Sequence, residues 1–99
     1  MTQTQVLIKP RNDLKEPSMF EVIYLNDNKT TVGFVVESLE NYFEYSNTSA
    51  HEIATKIHTK GAATVAVLPF QIAEQKGVDI TMDARHAGMP LQIKIQKES

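Results

Sequence analysis

The sequence predicts one small α+β domain, a three-stranded antiparallel sheet packed against three helices in the order β-α-α-β-α-β. Three observations carry this. Apolar residues recur at spacings of three and four in three separate stretches, and they alternate at a spacing of two near Met19 and near Leu91. A chain of 99 residues also has room for only one core. The domain is expected to span residues 18–99. Residues 1–17 are mostly polar, hold Pro10 and Pro17 and lack a sustained apolar period, so they are expected to form a flexible, disordered extension.

The first strand is read from Met19, where Phe20, Val22 and Tyr24 alternate with their neighbours, and it stops at Asn26-Asp27-Asn28. Short polar side chains of this kind satisfy nearby backbone groups and favour turns and helix starts. Val32, Val35, Val36, Leu39, Tyr42 and Phe43 then mark one face of a helix that begins near Thr30 or Thr31. A second helix follows Ser46, with Ser49 and Glu52 spaced as a capping box, Ala50, Ile53, Ala54 and Ile57 as its buried stripe, and Gly61 as its end. The apolar run from Ala62 to Leu68, bounded by Gly61 and Pro69, predicts a central strand. Pro69 suits the start of a third helix, whose stripe is Ile72, Ala73, Gly77, Ile80 and Ala84 and which ends near Gly88. Gly77 on that stripe implies close packing. Leu91, Ile93 and Ile95 alternate with polar residues as a last strand with one wet face.

Composition excludes several functions. Hydrophobic residues at 41% and charged residues at 22% are ordinary for a globular protein. With no cysteine there is no disulfide, thiolate metal site or cysteine nucleophile, which fits a reducing compartment, so a cytoplasmic location is expected. The short run Val6-Leu7-Ile8 is too brief for a signal-peptide core or a membrane span. A net charge of -2 with interspersed signs offers no basic stripe for nucleic acid. No metal, cofactor or membrane partner is expected.

Three histidines, His51, His58 and His86, are the candidate ligands or bases, and the seven-residue spacing of the first two does not suit a zinc pair. There is no nucleophile elbow, phosphate loop or dinucleotide fingerprint. His58 follows Ile57 at the edge of the apolar stripe, where it reads first as a half-buried histidine held by one hydrogen bond. By itself, Asn26-Asp27-Asn28 reads first as a turn and helix cap.

Taken together, these residues resemble the ClpS family of proteolytic adaptors from about Pro17 to Lys97. The resemblance rests on Pro17-Ser18-Met19 leading into VIYLND and Thr30. It continues through Ile57-His58-Thr59-Lys60-Gly61, Ala73-Glu74-Gln75-Lys76 and Pro90-Leu91. It implies a non-enzymatic adaptor of the N-end rule, which recognises proteins whose first residue is Leu, Phe, Tyr or Trp. Such an adaptor delivers them to the N-terminal domain of a ClpA- or ClpC-type AAA+ unfoldase of the Clp protease. The resemblance assigns the α-amine of the bound protein to Asn26, Asp27 and an unprotonated His58. It assigns the side chain to a pocket of Thr30, Val32, Val35, Ile57 and Leu91, with Ala54 nearby, and unfoldase docking to Glu74 and Lys76. The adaptor is expected to act as a monomer, its extension open to engagement by the unfoldase.

The chain departs from the family pattern at three places. Asn28 stands where an aspartate is common, which removes a negative charge near the ammonium. Val32 stands where many relatives carry methionine, which acts there as a gate against β-branched side chains, so acceptance of Ile or Val is expected here. Gln71 stands at a commonly acidic position. Two other readings compete. A generic interaction module of the same fold would not distinguish free from acetylated N-termini, and a small hydrolase using His58 with Asp27 would need a nucleophile that no motif places.

Overall fold

The protein is described by a computed structural model covering residues 18–98, and the expected extension over residues 1–17 lies outside the described residues. The element order is as predicted. It runs β1 (Met19–Leu25), α1 (Val32–Phe43), α2 (Asn47–Lys60), β2 (Ala62–Pro69), α3 (Phe70–His86) and β3 (Gln92–Lys97).

The three strands form one antiparallel sheet in the order β2-β1-β3, so β1 is central and β2 lies at an edge. This corrects the expectation that Ala62 to Leu68 is a central strand. The reason is a bulge: Val22 pairs with Ala66 but Ile23 pairs with Thr64, which leaves Val65 as an extra residue on β2. Val65 is buried and Ala66 also packs on the core, so two consecutive apolar residues serve one face. The sequence therefore loses its alternation without the strand being covered on both sides. The Tyr45 hydroxyl donates to the Val65 carbonyl and satisfies it at the irregularity.

On β1, Val22 and Tyr24 are fully buried. The Ser38 hydroxyl donates to the Val35 carbonyl at 2.8 Å, so the Tyr24 phenol donates to Ser38 Oγ, also at 2.8 Å. Burial pushes the Tyr24 phenol well above its ordinary pKa, and the bond to Ser38 only partly offsets this.

Helix α1 starts where Thr31 Oγ1 accepts the Phe34 amide at 3.1 Å, and it buries Val35, Val36 and Leu39. Val32, read from its spacing as part of the stripe, is 53% exposed in the first turn. The cap of α2 is Ser46, whose hydroxyl accepts the Ser49 amide at 3.1 Å. The predicted Ser49–Glu52 box is therefore displaced by a cap one turn earlier, inside which Ser49 is already helical. Ala50, Ala54 and Ile57 are buried, and Gly61 closes the helix at φ 90.

Helix α3 buries Ala73, Gly77, Ile80 and Ala84, whereas Ile72, placed on that stripe by its spacing, is 48% exposed. Ile72 precedes Ala73 by one residue, which turns it about 100° off the buried face. A Cβ built on Gly77 would lie 3.5 Å from Ile95 Cδ1 and 3.6 Å from Ile93 Cγ2, so α3 packs on β3 at ordinary van der Waals distance.

Candidate functional site

The site forms where β1 runs out. The Asn26 amide donates to the Gly61 carbonyl at 2.9 Å, which ties the residue after β1 to the end of α2. His58 lies three residues before Gly61, on the last turn of that helix.

From Asn26 the chain enters a turn built by Asp27. One carboxylate oxygen accepts the amides of Lys29 and Thr30, at 2.8 and 2.7 Å, and the other accepts the Thr30 hydroxyl at 2.7 Å. Partial burial is the largest influence on this carboxyl and would raise its pKa. The Thr30 hydroxyl, the Thr30 and Lys29 amides and the positive charge of Arg85 together outweigh it and hold the pKa below the ordinary value. Asp27 therefore carries a full negative charge at neutral pH while it fixes the loop backbone.

The turn, the start of α1 and the last turns of α2 enclose a cavity of about 340 Å³. Its polar lining is Asn26, Asp27, Asn28, Thr30 and His58, and its apolar lining is Val32, Val35, Ala54 and Ile57. Val35, Ala54 and Ile57 are also core residues, so the cavity floor is continuous with the hydrophobic core. Val32 stands exposed at its mouth.

Eight of the nine residues assigned to amine and side-chain binding thus line one cavity. The ninth, Leu91, does not line it and is 1% exposed within the core. Since Leu25 pairs with Gln92, Leu91 falls just before β3, next to the end of β1, and its side chain belongs to the core. The reading of His58 as half-buried is also corrected, because its side chain is exposed. The ring belongs to the last turn of α2, beyond the buried face that ends at Ile57.

Glu74 and Lys76 are separated by the curvature of α3. Glu74 is exposed beside an apolar groove that contains Val78, Met82, Ile93 and Ile95. Lys76 points to the other side, where Nζ donates to the Tyr42 carbonyl at 2.8 Å and lies 5.5 Å from the centre of the Phe43 ring. It thus caps the C-terminal end of α1. Sequence reading missed this anchoring and the triple acceptance by Asp27. An Asp three residues before a Thr was the available signal for the latter.

Among the described residues, no group of three or more His, Cys, Asp or Glu is placed to hold a metal ion, and no helix is long and apolar enough to cross a membrane. Fold and cavity define a small α+β domain with a cavity lined by both apolar and hydrogen-bonding groups. The chain belongs to the ClpS family: residues 15–94 match the family model described as ATP-dependent Clp protease adaptor protein ClpS. This is a family of adaptors, not of enzymes.

Among its relatives, the ATP-dependent Clp protease adapter protein ClpS of Ruegeria pomeroyi is 42% identical over 94 residues, covering 94% of this chain and 82% of the relative. The ClpS of Burkholderia cenocepacia is 36% identical, covering 93% of this chain and 88% of the relative. Among solved structures, Agrobacterium tumefaciens ClpS2 bound to L-phenylalaninamide superposes with a TM-score of 0.81 at 31% identity, covering 84% of this chain and all of that one.

Proposed function

We propose that this adaptor holds the N-terminal residue of a protein in the cavity between β1, α1 and α2, preferring Leu, Phe, Tyr or Trp and admitting Ile or Val. Its cargo then passes to the ClpA-type AAA+ unfoldase of the ClpAP protease. The observation that carries this reading is that Asn26, Asp27 and His58 line the same cavity as the apolar Val32, Val35, Ala54 and Ile57. The structural relative bound to L-phenylalaninamide adds support, since that molecule offers a free amine beside an aromatic side chain.

At about 340 Å³ the cavity is near the lower end for ligand sites, large enough for one bulky side chain and too small for a folded segment. The free α-ammonium would donate to the Asn26 amide oxygen, to the Asp27 carboxylate and to an unprotonated His58 nitrogen. An internal residue offers no such cation. Burial of a Leu or Phe side chain contributes about 1.5–3 kcal/mol and each charge-assisted bond about 1.5–3 kcal/mol. Set against ordering costs, the sum is compatible with roughly micromolar binding.

In this reading the protein works as a cytoplasmic monomer and meets the N-terminal domain of the unfoldase through the α3 surface. Glu74 is then the contact residue of the expected pair, and Lys76 acts mainly by holding α1 and α3 together.

The test is a titration of fluorescent peptides beginning with Phe or Leu, each compared with its N-acetylated form. Binding of the free amine alone, with large losses in Asn26→Ala and His58→Ala, supports the proposal. Equal binding of both forms, or of neither, removes it.

A further inference from the structure

The Asp27–Thr31 turn has a cavity on each side. One is the amine and side-chain site. The other, about 360 Å³, is lined by Lys29, Arg85, Gly88, Met89, Pro90 and Gln92. The two are joined through the turn itself, since Lys29 lies between Asn28 and Thr30 of the first site. Thr31 Oγ1 donates to Met89 Sδ at 3.8 Å, which holds the turn against the α3–β3 loop. Arg85 fixes that loop from the other side, because its Nη1 donates to the carbonyls of Met89 and Leu91, both at 2.9 Å. These bonds engage a single guanidinium nitrogen, and the Arg85 and Lys29 side chains remain exposed.

The charges divide unevenly between the two cavities. The ionisable groups around the first are Asp27 and His58, and those around the second are Lys29 and Arg85. No carboxylate lines the second. An arriving α-ammonium would pair with Asp27, the one anion in either lining, and leave the two cations uncompensated. Asn28 between them is neutral and adds no repulsion against an acid. The second and third residues of a bound chain lie within about 3.5–7 Å of the first along an extended backbone, and Lys29 is one residue from both Asn28 and Thr30 of the first lining.

We propose that Lys29 and Arg85 form a second specificity site, which selects bound proteins carrying Asp or Glu at the second or third position. This rests on the proposed recognition of a free N-terminal residue. The attraction is between exposed charges, so it is modest and sensitive to salt.

The experiment compares free-amine peptides that begin Phe-Ala, Phe-Asp and Phe-Lys, with a second set varied at the third residue, at low and high ionic strength. At low salt an acidic peptide is expected to bind about three- to fivefold more tightly than its lysine counterpart, at one or both positions. The difference should shrink at about 0.5 M salt. Lys29→Glu should reverse the order, and this reversal separates an effect of the site from any effect of the acid on the peptide's own amine. If Phe-Ala binds but acidic and basic peptides bind equally at both positions, or if Lys29→Glu leaves the order unchanged, the second site is overturned and the amine reading stands. If no free-amine peptide binds, both are overturned.

Discussion

The backbone amide of Asn26 lies 2.9 Å from the carbonyl of Gly61, and this bond sets the end of a strand against the end of a helix that carries His58. Two groups far apart in the sequence thereby line the same cavity, with a main-chain bond between the segments that carry them.

Gly61 can occupy its position because its φ of 90 is open to glycine and strained for other residues. Nothing lies within 4 Å of a Cβ placed there, so Gly61→Ala costs backbone strain without a clash. The expected loss is about 1–2 kcal/mol in urea unfolding, with weaker binding of a Phe peptide as Asn26 shifts. Reduced stability with unchanged affinity would show that this bond does not position the site.

The pH dependence of binding should come from His58. Protonation of the ring would remove its acceptor and place a cation beside the ammonium, so affinity should fall as the solution is made acidic. Asp27 should not contribute near neutral pH, because its folded pKa lies below the ordinary carboxyl value of about 3.9. Its stabilising turn is intact above that value and is lost only as pH falls through the lower folded one. Peptide titrations of His58→Ala should show a flat profile and at least about tenfold weaker binding.

Val32, 53% exposed at the mouth of the cavity, should set tolerance of branched side chains. Val32→Met is expected to weaken binding of peptides beginning with Ile or Val by at least about fivefold, with little change for Leu or Phe. Equal losses for all four would show that the residue narrows the mouth without discriminating shape.

The Tyr42 hydroxyl donates to the Asp83 carboxylate and joins α1 to α3. That bond, with burial and the charges of Asp83 and Asp79, pushes the Tyr42 phenol up to about 12. Because the folded value lies above the ordinary value of about 10, the stabilisation is present below that pH and is lost as pH rises toward the folded value. Tyr42→Phe should therefore be slightly less stable at neutral pH and should lose less stability than the parent in alkaline urea melts. Parallel melts at all pH values would contradict this.

Gly77 offers a stabilising substitution. The contacts of 3.5 and 3.6 Å leave room for one methyl and no more. Gly77→Ala should gain about 0.5–1 kcal/mol from helix propensity, whereas Gly77→Leu should lose about 1–3 kcal/mol by overpacking. Thermal melts of the two variants should move in opposite directions.

Much of the fold was legible because periodicity reports burial directly. Tyr24, Leu39, Ala54, Ile57 and Ile80 are all buried where their spacing put them. The failures come from features to which periodicity is blind. A bulge at Val65 imitates the pattern of a doubly covered strand. Ser46 and Ser49 are chemically equivalent candidates for a cap, and only the helix start distinguishes them. Val32 and Ile72 are apolar residues just off a stripe, and side-chain type cannot show that they face outward.

The cavity was harder to read, since its polar groups sit on two elements that meet only in three dimensions. Asn26 and His58 became a pair through resemblance to a family, and their local sequence alone favoured a turn and a satisfied histidine. Lys76 shows the reverse case. It matches the family pattern, yet its charge is occupied by the end of α1.

The turn held by three bonds to Asp27 also bears on time. A loop already fixed by its own hydrogen bonds has little to rearrange when a chain arrives, so association need not wait for closure. With association near 10⁵–10⁷ M⁻¹s⁻¹ and affinity on the order of micromolar, a bound chain would stay for roughly 0.1–10 s. On the proposed reading, an unfoldase would have to take hold within that interval, or the adaptor would depart empty and the protein would be spared.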